Sequence, residues 1–255
     1  MRGFCPESAI TTRAFNPASR AEPHSGCGGR DMHVSHPVSP LFFPKRARGG
    51  PGQQSPISGL GPGTMVLTIE GEMPVEWLAP GDRLLTRDNG SRPIVHITRL
   101  HRTPEGLPLP APMAFLRGEI GPQGVLHEQT RVAPGHRGLI RHPEVAATFG
   151  CDEVLARFGE VSRRDRIHHD PRMGGLTYHL ILMERHEIIS AGALWVETTD
   201  PAMAARLDLP PAVRRNTGLL DSDADLARHC LSREEAKLIR KNCPADLSLL
   251  ELLAA

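Results

Sequence analysis

The histidines are the residues in this sequence that could serve in the most kinds of chemistry. His136, His179 and His186 stand alone, and His168 and His169 form a pair. Imidazole is a common metal ligand and titrates near neutral pH, so these side chains could bind a metal ion or transfer protons. Their spacings match no established pattern of metal ligands. We therefore expect buried or half-buried histidines that hydrogen-bond the backbone, and we predict no metal and no cofactor. Residual acid–base function is the main alternative.

The cysteines predict neither a disulfide framework nor a zinc knuckle. Five is an odd number, and no two cysteines have C-x-x-C spacing. We expect reduced thiols in a cytoplasmic protein, although secretion by a non-classical route stays open. Cys151 is expected to be a core or loop residue rather than a nucleophile. The five residues are Cys5, Cys27, Cys151, Cys230 and Cys243.

Charge and hydropathy argue against nucleic-acid and membrane partners. Residues 1–58 carry seven Lys/Arg and three Asp/Glu, which leaves 23 basic and 26 acidic residues for the rest of the chain. The basic stretch SRRDRIHHDPR at 162–172 is interrupted by Asp165 and Asp170 and has no aromatic platform, so it is expected to be a solvated loop. No apolar run approaches the roughly 20 residues of a membrane-spanning helix.

Composition divides the chain into three parts. Residues 1–58 are rich in Gly, Pro, Ser, Arg and His and show no helical or alternating period, so we predict a disordered segment. Translation from Met32 instead of Met1 is an alternative. Residues 59–200 are expected to form a β domain, and residues 201–255 a helical extension.

Short strands separated by turn residues predict an all-β body. Gly and Pro are abundant, at 25 and 24 residues, and turn signals recur between short apolar stretches. Strands are predicted at 64–69, 73–78, 83–86, 94–99, 114–116, 130–132, 138–141, 177–183, 187–190 and 193–198. Helices are predicted at 153–158, 223–230, 232–242 and 248–252, the third of them with a capping box that begins at Ser232.

Three ordered blocks closely resemble the Hint domain that hedgehog autoprocessing domains and inteins share, above all its bacterial hedgehog/intein-type branch. The first is Pro62-Gly63-Thr64 followed by TIEGEMPVEWLAPGDRLLTRD at 68–88, the second is VAPGHR at 132–137, and the third is TYHLILMERHEIISAGALW at 177–195. The resemblance covers roughly residues 59–197. It implies a horseshoe-like all-β fold with pseudo-two-fold symmetry, here with a small helical C-terminal extension.

The resemblance also assigns the chemical positions of the domain. In this family a Cys or Ser at the first position attacks the preceding carbonyl, and a T-x-x-H segment polarises that carbonyl and protonates the departing amine. Inteins end on His-Asn, whose Asn cyclises. Here the first position falls on Gly59, the T-x-x-H segment has Ala133 and His136, and the terminal pair is Val196 and Glu197. The first nucleophile, the hydroxyl and the terminal pair are therefore missing.

We accordingly expect a Hint-fold protein that has lost self-cleavage and splicing and acts as a binding or scaffold module for a protein partner. The alternative is a self-cleaving protein that performs an N-to-O or N-to-S acyl shift near Ser58 or Gly59. Ser58 stands one residue early, which displaces the scissile bond by about 3 Å. Asn216-Thr217 resembles a splice junction, but Arg215 precedes it and a helix-rich tail follows.

Overall fold

The computed structural model describes residues 56–162, 168–169 and 176–253. These residues belong to one compact unit that begins at residue 50. The prediction of disorder for residues 1–58 therefore lies outside the described residues, except at 56–58, and so does most of the basic loop at 162–172. No helix in the described part of the chain is long and apolar enough to cross a membrane.

A mostly antiparallel sheet of nine strands forms the body of the described structure. Its strands are β1 (Met65–Thr68), β2 (Gly71–Pro74), β3 (Arg83–Thr86), β4 (Gly90–Pro93), β10 (Arg137–Ile140), β11 (Val154–Arg157), β14 (Ile188–Ala191), β15 (Leu194–Glu197) and β16 (His229–Cys230). The order is β16-β11-β10-β15-β14-β1-β3-β4, with β2 paired to β1. The sheet thus joins strands from both ends of the domain, and the expected all-β class is confirmed.

Three smaller sheets are also present in the part of the chain that the structure describes. Strand β5 (His96–Leu100) pairs with β13 (Tyr178–Leu182), β6 (Met113–Phe115) lies between β9 (Thr130–Val132) and β12 (His168–His169), and β7 (Ile120–Gly121) forms a hairpin with β8 (Gly124–Val125). Residues just before β1 connect two of these sheets, because Leu60 makes isolated bridges to both Val132 and His179. This connection fixes the start of the domain.

The residues at this connection contribute to two hydrophobic clusters, because Leu60 belongs to the larger and Ile57 to the smaller. The larger packs the main sheet and includes Val66, Leu84 and Val196, all fully buried. The smaller contains Ile57 and Tyr178 and extends to residues that follow β15. Because Ile57 is buried in this cluster, the chain immediately before residue 59 is part of the folded domain.

Six short helices accompany the sheets within the described residues. They are α1 (Pro143–Phe149), α2 (Phe158–Val161), α3 (Pro201–Ala204), α4 (Pro211–Asn216), α5 (Arg233–Asn242) and α6 (Leu249–Leu252). Helix α5 begins with the predicted capping box of Ser232 and Glu235. The short α6 packs back on the body, since Leu253, which follows it, bridges Ile140 of β10.

Three sequence-based element assignments are wrong, each for a physical reason. Residues 154–157 form strand β11 rather than a helix, because this short apolar run is buried between β10 and β16. Residues 223–230 form a turn and then β16, whose His229 and Cys230 pair with β11. The strand predicted at 73–78 ends at Pro74 and continues as a 3-10 turn, since proline has no N–H for a further ladder hydrogen bond.

Candidate functional site

The segment from Ile57 to Gly61 is held by backbone hydrogen bonds on both sides. On one side Gly61 N–H donates to Arg131 O (2.7 Å), Ala133 N–H to Gly59 O (2.9 Å) and Gly135 N–H to Ile57 O (3.1 Å). On the other side Leu60 and His179 exchange two hydrogen bonds, of 3.0 and 2.8 Å. The carbonyl oxygens of residues 57 and 59 are thus fixed in the domain.

Ser58 and His136 form a buried pair. Ser58 Oγ lies 2.7 Å from His136 Nδ1, and both residues are buried. The same Nδ1 accepts a hydrogen bond of 3.3 Å from Gly59 N–H. A backbone N–H can only donate, so Nδ1 carries the lone pair and the Ser58 hydroxyl donates to it.

A tight turn between β9 and β10 places the histidine. His136 N–H donates to Ala133 O (2.9 Å), which closes the turn through Pro134 and Gly135. Residues at the start of α2 hold this turn from outside, because Phe158 N–H donates to His136 O and Gly159 N–H to Pro134 O. The Pro-Gly pair in the sequence therefore fixes where the imidazole enters the site.

A carboxylate at the end of β15 stands behind the serine. Glu197 Oε1 lies 3.4 Å from Ser58 Oγ and accepts a hydrogen bond of 3.1 Å from Arg137 N–H. Arg137 Nη1 forms an ion pair of 2.8 Å with Glu197 Oε2 and a second ion pair with Asp200. All three charged residues are buried. Burial alone would raise the pKa of Glu197, but the Arg137 charge and His186 lower that pKa to about 2.

The buried imidazole of His136 is neutral at physiological pH. Burial lowers the pKa of His136 to about 4, and the nearby charge of Glu197 offsets only part of this effect. A neutral ring with a free lone pair on Nδ1 can accept a proton from Ser58. The pair therefore places a hydroxyl group beside a proton acceptor.

The other histidines predicted from the sequence have different partners from His136. His186 Nδ1 accepts a hydrogen bond of 3.1 Å from Ala227 N–H, which turns Nε2 towards Glu197 Oε2 at 3.3 Å. His179 belongs to β13, and its burial lowers its pKa. His168 and His169 pair with β6 in another sheet. Among the described residues, no group of three His, Cys, Asp or Glu could hold a metal ion.

Position 59 has no room for a nucleophilic side chain in this backbone. Gly59 has φ +138°, a conformation that L residues rarely adopt. A Cβ there would lie 2.9 Å from Tyr178 Cβ and 3.2 Å from Leu180 Cδ1. Position 59 is therefore closed to cysteine or serine as the domain stands.

The remaining positions predicted from the sequence are Ala133, Val196, Glu197 and Cys151, and of these Glu197 lies beside Ser58. Ala133 and Val196 are fully buried and belong to different hydrophobic clusters, so neither offers a polar group to Ser58. Glu197 does come to Ser58, as an ion-paired carboxylate rather than in a terminal His-Asn pair. Cys151 is half-buried and packs against the main cluster, as a core-edge residue would.

Arg137 and Asp200 were missed by sequence reasoning. Arg137 directly follows His136, and Asp200 precedes Pro201 as the N-cap of α3, where its side chain accepts from Met203 N–H. In the sequence each residue is accounted for by its immediate neighbours, so neither stands out as a site residue. Their meeting depends on the pairing of β10 with β15, which brings Gly138 opposite Val196.

A small cavity adjoins the serine. Its lining includes Ser58, Gly59, His136, His179, Glu197 and Thr199, all of them buried. The cavity therefore lies where the start of the domain meets β13 and the end of β15.

Comparison with known proteins gives one family and one structural relative. The family model described as "Hint domain" matches residues 59–203, more than half of the chain. A solved structure, the solution structure of a bacterial intein-like domain from Clostridium thermocellum, is similar at 12% identity with a TM-score of 0.36. That match covers 56% of this chain and 98% of the intein-like domain. No curated protein matches the chain.

Proposed function

Since the chain belongs to the Hint domain family, we propose that it cleaves itself between Ile57 and Ser58, with Ser58 as the nucleophile. The observation that carries this proposal is the distance of 2.7 Å between Ser58 Oγ and His136 Nδ1 in a buried site. Family membership makes an acyl shift the expected chemistry, and the closed backbone at Gly59 leaves Ser58 as the hydroxyl beside the histidine.

The first step is an N-to-O acyl shift. Ser58 Oγ attacks the carbonyl carbon of Ile57 while His136 Nδ1 takes the hydroxyl proton. The bond between that carbon and Ser58 N then breaks, and the nitrogen takes the proton from His136. The result is an ester between the Ile57 acyl group and Ser58 Oγ, with a free amine on Ser58. Hydrolysis of the ester releases the segment that ends at Ile57.

The carbonyl that would be attacked already has a hydrogen-bond donor. Gly135 N–H donates to Ile57 O at 3.1 Å, and the turn that carries Gly135 also carries His136. A fixed N–H stabilises the negative charge that develops on this oxygen during attack. One rigid turn thus supplies both the donor and the base.

The basicity of His136 sets the expected rate. A base with a pKa of about 4 is a weak proton acceptor at neutral pH, although it is fully in its neutral form. We therefore expect slow processing that starts from a largely intact chain. The rate should be flat above pH 5 to 6 and fall as the pH approaches 4.

The test is the intact mass of a protein tagged at both ends, followed during incubation at neutral pH. Hydroxylamine added after unfolding reveals any ester that has not been hydrolysed. The variants are Ser58→Ala and, as a matched control, Ser190→Ala. Ser190 is as buried as Ser58, each 6% exposed, but it bonds Gln123 rather than a histidine.

We expect fragments that end at Ile57 and begin at Ser58 in the wild type and in Ser190→Ala, and none in Ser58→Ala. A single full-length mass in all three proteins, with and without hydroxylamine, would refute Ser58-dependent cleavage.

The second candidate function is a non-cleaving binding module, which Gly59 favours. The first position of the family pattern has no nucleophile, and the hydrogen bonds at residues 57–61 hold the chain in place without any need for cleavage. An exposed apolar hairpin tip could bind a protein partner, because Ile120 and Val125 lie opposite each other and are 75% and 48% exposed. A persistent full-length mass in the experiment above would leave this candidate standing.

A further inference from the structure

The cavity beside Ser58 has the size of a single water molecule. It leaves about 10 Å³ for the centre of a water, close to the minimum that one buried water needs. The residues that line it are buried, and Ser58 and His136 are among them. Only a very small polar molecule therefore fits next to the serine.

Three of the residues that line this cavity have a buried polar atom without a hydrogen-bond partner. Within the described residues, His179 Nδ1, Thr199 Oγ1 and His136 Nε2 are buried and have no hydrogen-bond partner. The three residues are each 3% exposed. A buried polar atom without a partner costs free energy, so such atoms around one cavity indicate a ligand that both donates and accepts hydrogen bonds. Water meets this requirement and the size limit together.

We propose that this cavity binds one water molecule and that this water is the second nucleophile of the self-cleavage. The inference rests on the proposed function, because it names the molecule that resolves the ester. Water oxygen attacks the ester carbon of Ile57, the bond from that carbon to Ser58 Oγ breaks, and Ser58 Oγ takes one proton of the water. The released segment ends in a carboxylic acid on Ile57, which then loses its proton to solvent.

The same geometry favours water over larger nucleophiles. A thiol reagent or an alcohol has several heavy atoms, and the space beside Ser58 takes about one water. The domain should therefore hydrolyse its ester and should not transfer the released segment to a second molecule.

The first experiment incubates the native, doubly tagged protein in water enriched in heavy oxygen, with and without the thiol 2-mercaptoethanesulfonate. We expect the fragment that ends at Ile57 to gain the mass of one heavy oxygen atom, with no thioester product at any thiol concentration. A thioester fragment that grows with thiol concentration in the native protein would overturn the inference.

The second experiment compares Thr199→Val with the control Thr217→Val. Valine keeps the shape of threonine and removes the hydroxyl, and both residues are 3% exposed. Thr217 bonds Met183 O and lies outside the cavity. We expect Thr199→Val to slow ester hydrolysis about tenfold and to accumulate hydroxylamine-sensitive ester, because the water loses one partner. Thr217→Val should hydrolyse at the wild-type rate, and equal rates in both variants would overturn the inference.

A failure of the proposed function is distinguishable from a failure of the water site. If the wild type never cleaves and forms no ester, the proposed function fails, and with it the role of the water as nucleophile. A high-resolution crystal structure then decides whether the cavity binds a water molecule. A water within hydrogen-bond distance of His179 Nδ1 and Thr199 Oγ1 would support the site, and its absence would overturn it.

Discussion

Replacing Gly59 by alanine tests whether the backbone at the first position has closed against any side chain. The variant Gly59→Ala adds one methyl group at φ +138°, with its Cβ 2.9 Å from Tyr178 Cβ. The unfavourable backbone conformation should cost about 1–2 kcal/mol. Overpacking against Tyr178 and Leu180 should cost about 1–3 kcal/mol more. The free energy of unfolding should therefore fall by about 2–5 kcal/mol.

Gly124→Ala is the matched control for the backbone contribution. Gly124 begins β8 at φ +118°, and a Cβ there would meet no atom within 4 Å. This variant should lose only about 1–2 kcal/mol. Equilibrium urea unfolding, followed by circular dichroism, measures both variants against the wild type. Equal unfolding midpoints for Gly59→Ala and Gly124→Ala would refute the argument that Tyr178 and Leu180 close this position.

The corresponding test of chemistry is Gly59→Cys. Because the added side chain has no space, we expect no cleavage between Ser58 and residue 59, even with hydroxylamine. A fragment that ends at Ser58 would mean that the backbone adapts and that the nucleophile alone is missing from this position.

The remaining predictions concern the buried charges and the C-terminal segment. The pKa of His136 is about 4 in the folded protein against an ordinary 6.5, and that of Glu197 about 2 against 4.5. His136 therefore removes stability as the pH falls from 6.5 to 4 and Glu197 as it falls from 4.5 to 2, by about 3 kcal/mol each. Urea unfolding at a series of pH values checks this, and a His136→Asn variant with the wild-type loss between pH 6.5 and 4 would contradict it. Arg137→Met removes the arginine from the two buried carboxylates of Glu197 and Asp200 and should cost about 3–5 kcal/mol in urea unfolding. The control Lys237→Met breaks only a surface pair and should leave the midpoint unchanged, so equal losses would contradict the assignment. A chain truncated after Met203 loses α4, β16, α5 and α6 and exposes the edge of β11, so circular dichroism should show no cooperative unfolding. Cooperative unfolding at the wild-type midpoint would show that the segment after Met203 is dispensable.

Local signals in the sequence predict much of the fold. The turn at Pro80-Gly81 and the capping box of Ser232 depend on a few adjacent residues, so the elements beside them are placed correctly. The run at 154–157 is too short for periodicity to separate a strand from a helix, and its two neighbouring strands decide the outcome. Where long-range pairing fixes the structure, the sequence alone predicts less.

The site shows the same limit. The position of His136 follows from the family resemblance, but its distance to Ser58 depends on contacts across 78 residues of chain. From the sequence alone, a serine one residue before the first position is expected to be misplaced for attack on the scissile bond. In the structure His136 Nδ1 lies 2.7 Å from Ser58 Oγ and 3.3 Å from Gly59 N, so one imidazole reaches both positions. A one-residue displacement therefore does not separate the serine from the base.

The balance of buried charge gives the ion-paired residues a role in the proposed reaction. Arg137 contributes one positive charge, and its partners Glu197 and Asp200 contribute two negative charges, so the group carries a net negative charge while His136 is neutral. When His136 takes the proton of Ser58, the imidazolium adds one positive charge beside this group, and the matching negative charge develops on the Ile57 oxygen, which Gly135 N–H contacts. Opposite charges attract strongly where water is excluded, so the group stabilises the imidazolium form of His136. A buried ion pair is weak evidence for stability, because apolar residues of similar volume often replace it without loss. The buried charges of Arg137, Glu197 and Asp200 therefore contribute to the proposed reaction by stabilising the proton on His136. Apolar residues in their place could not do this.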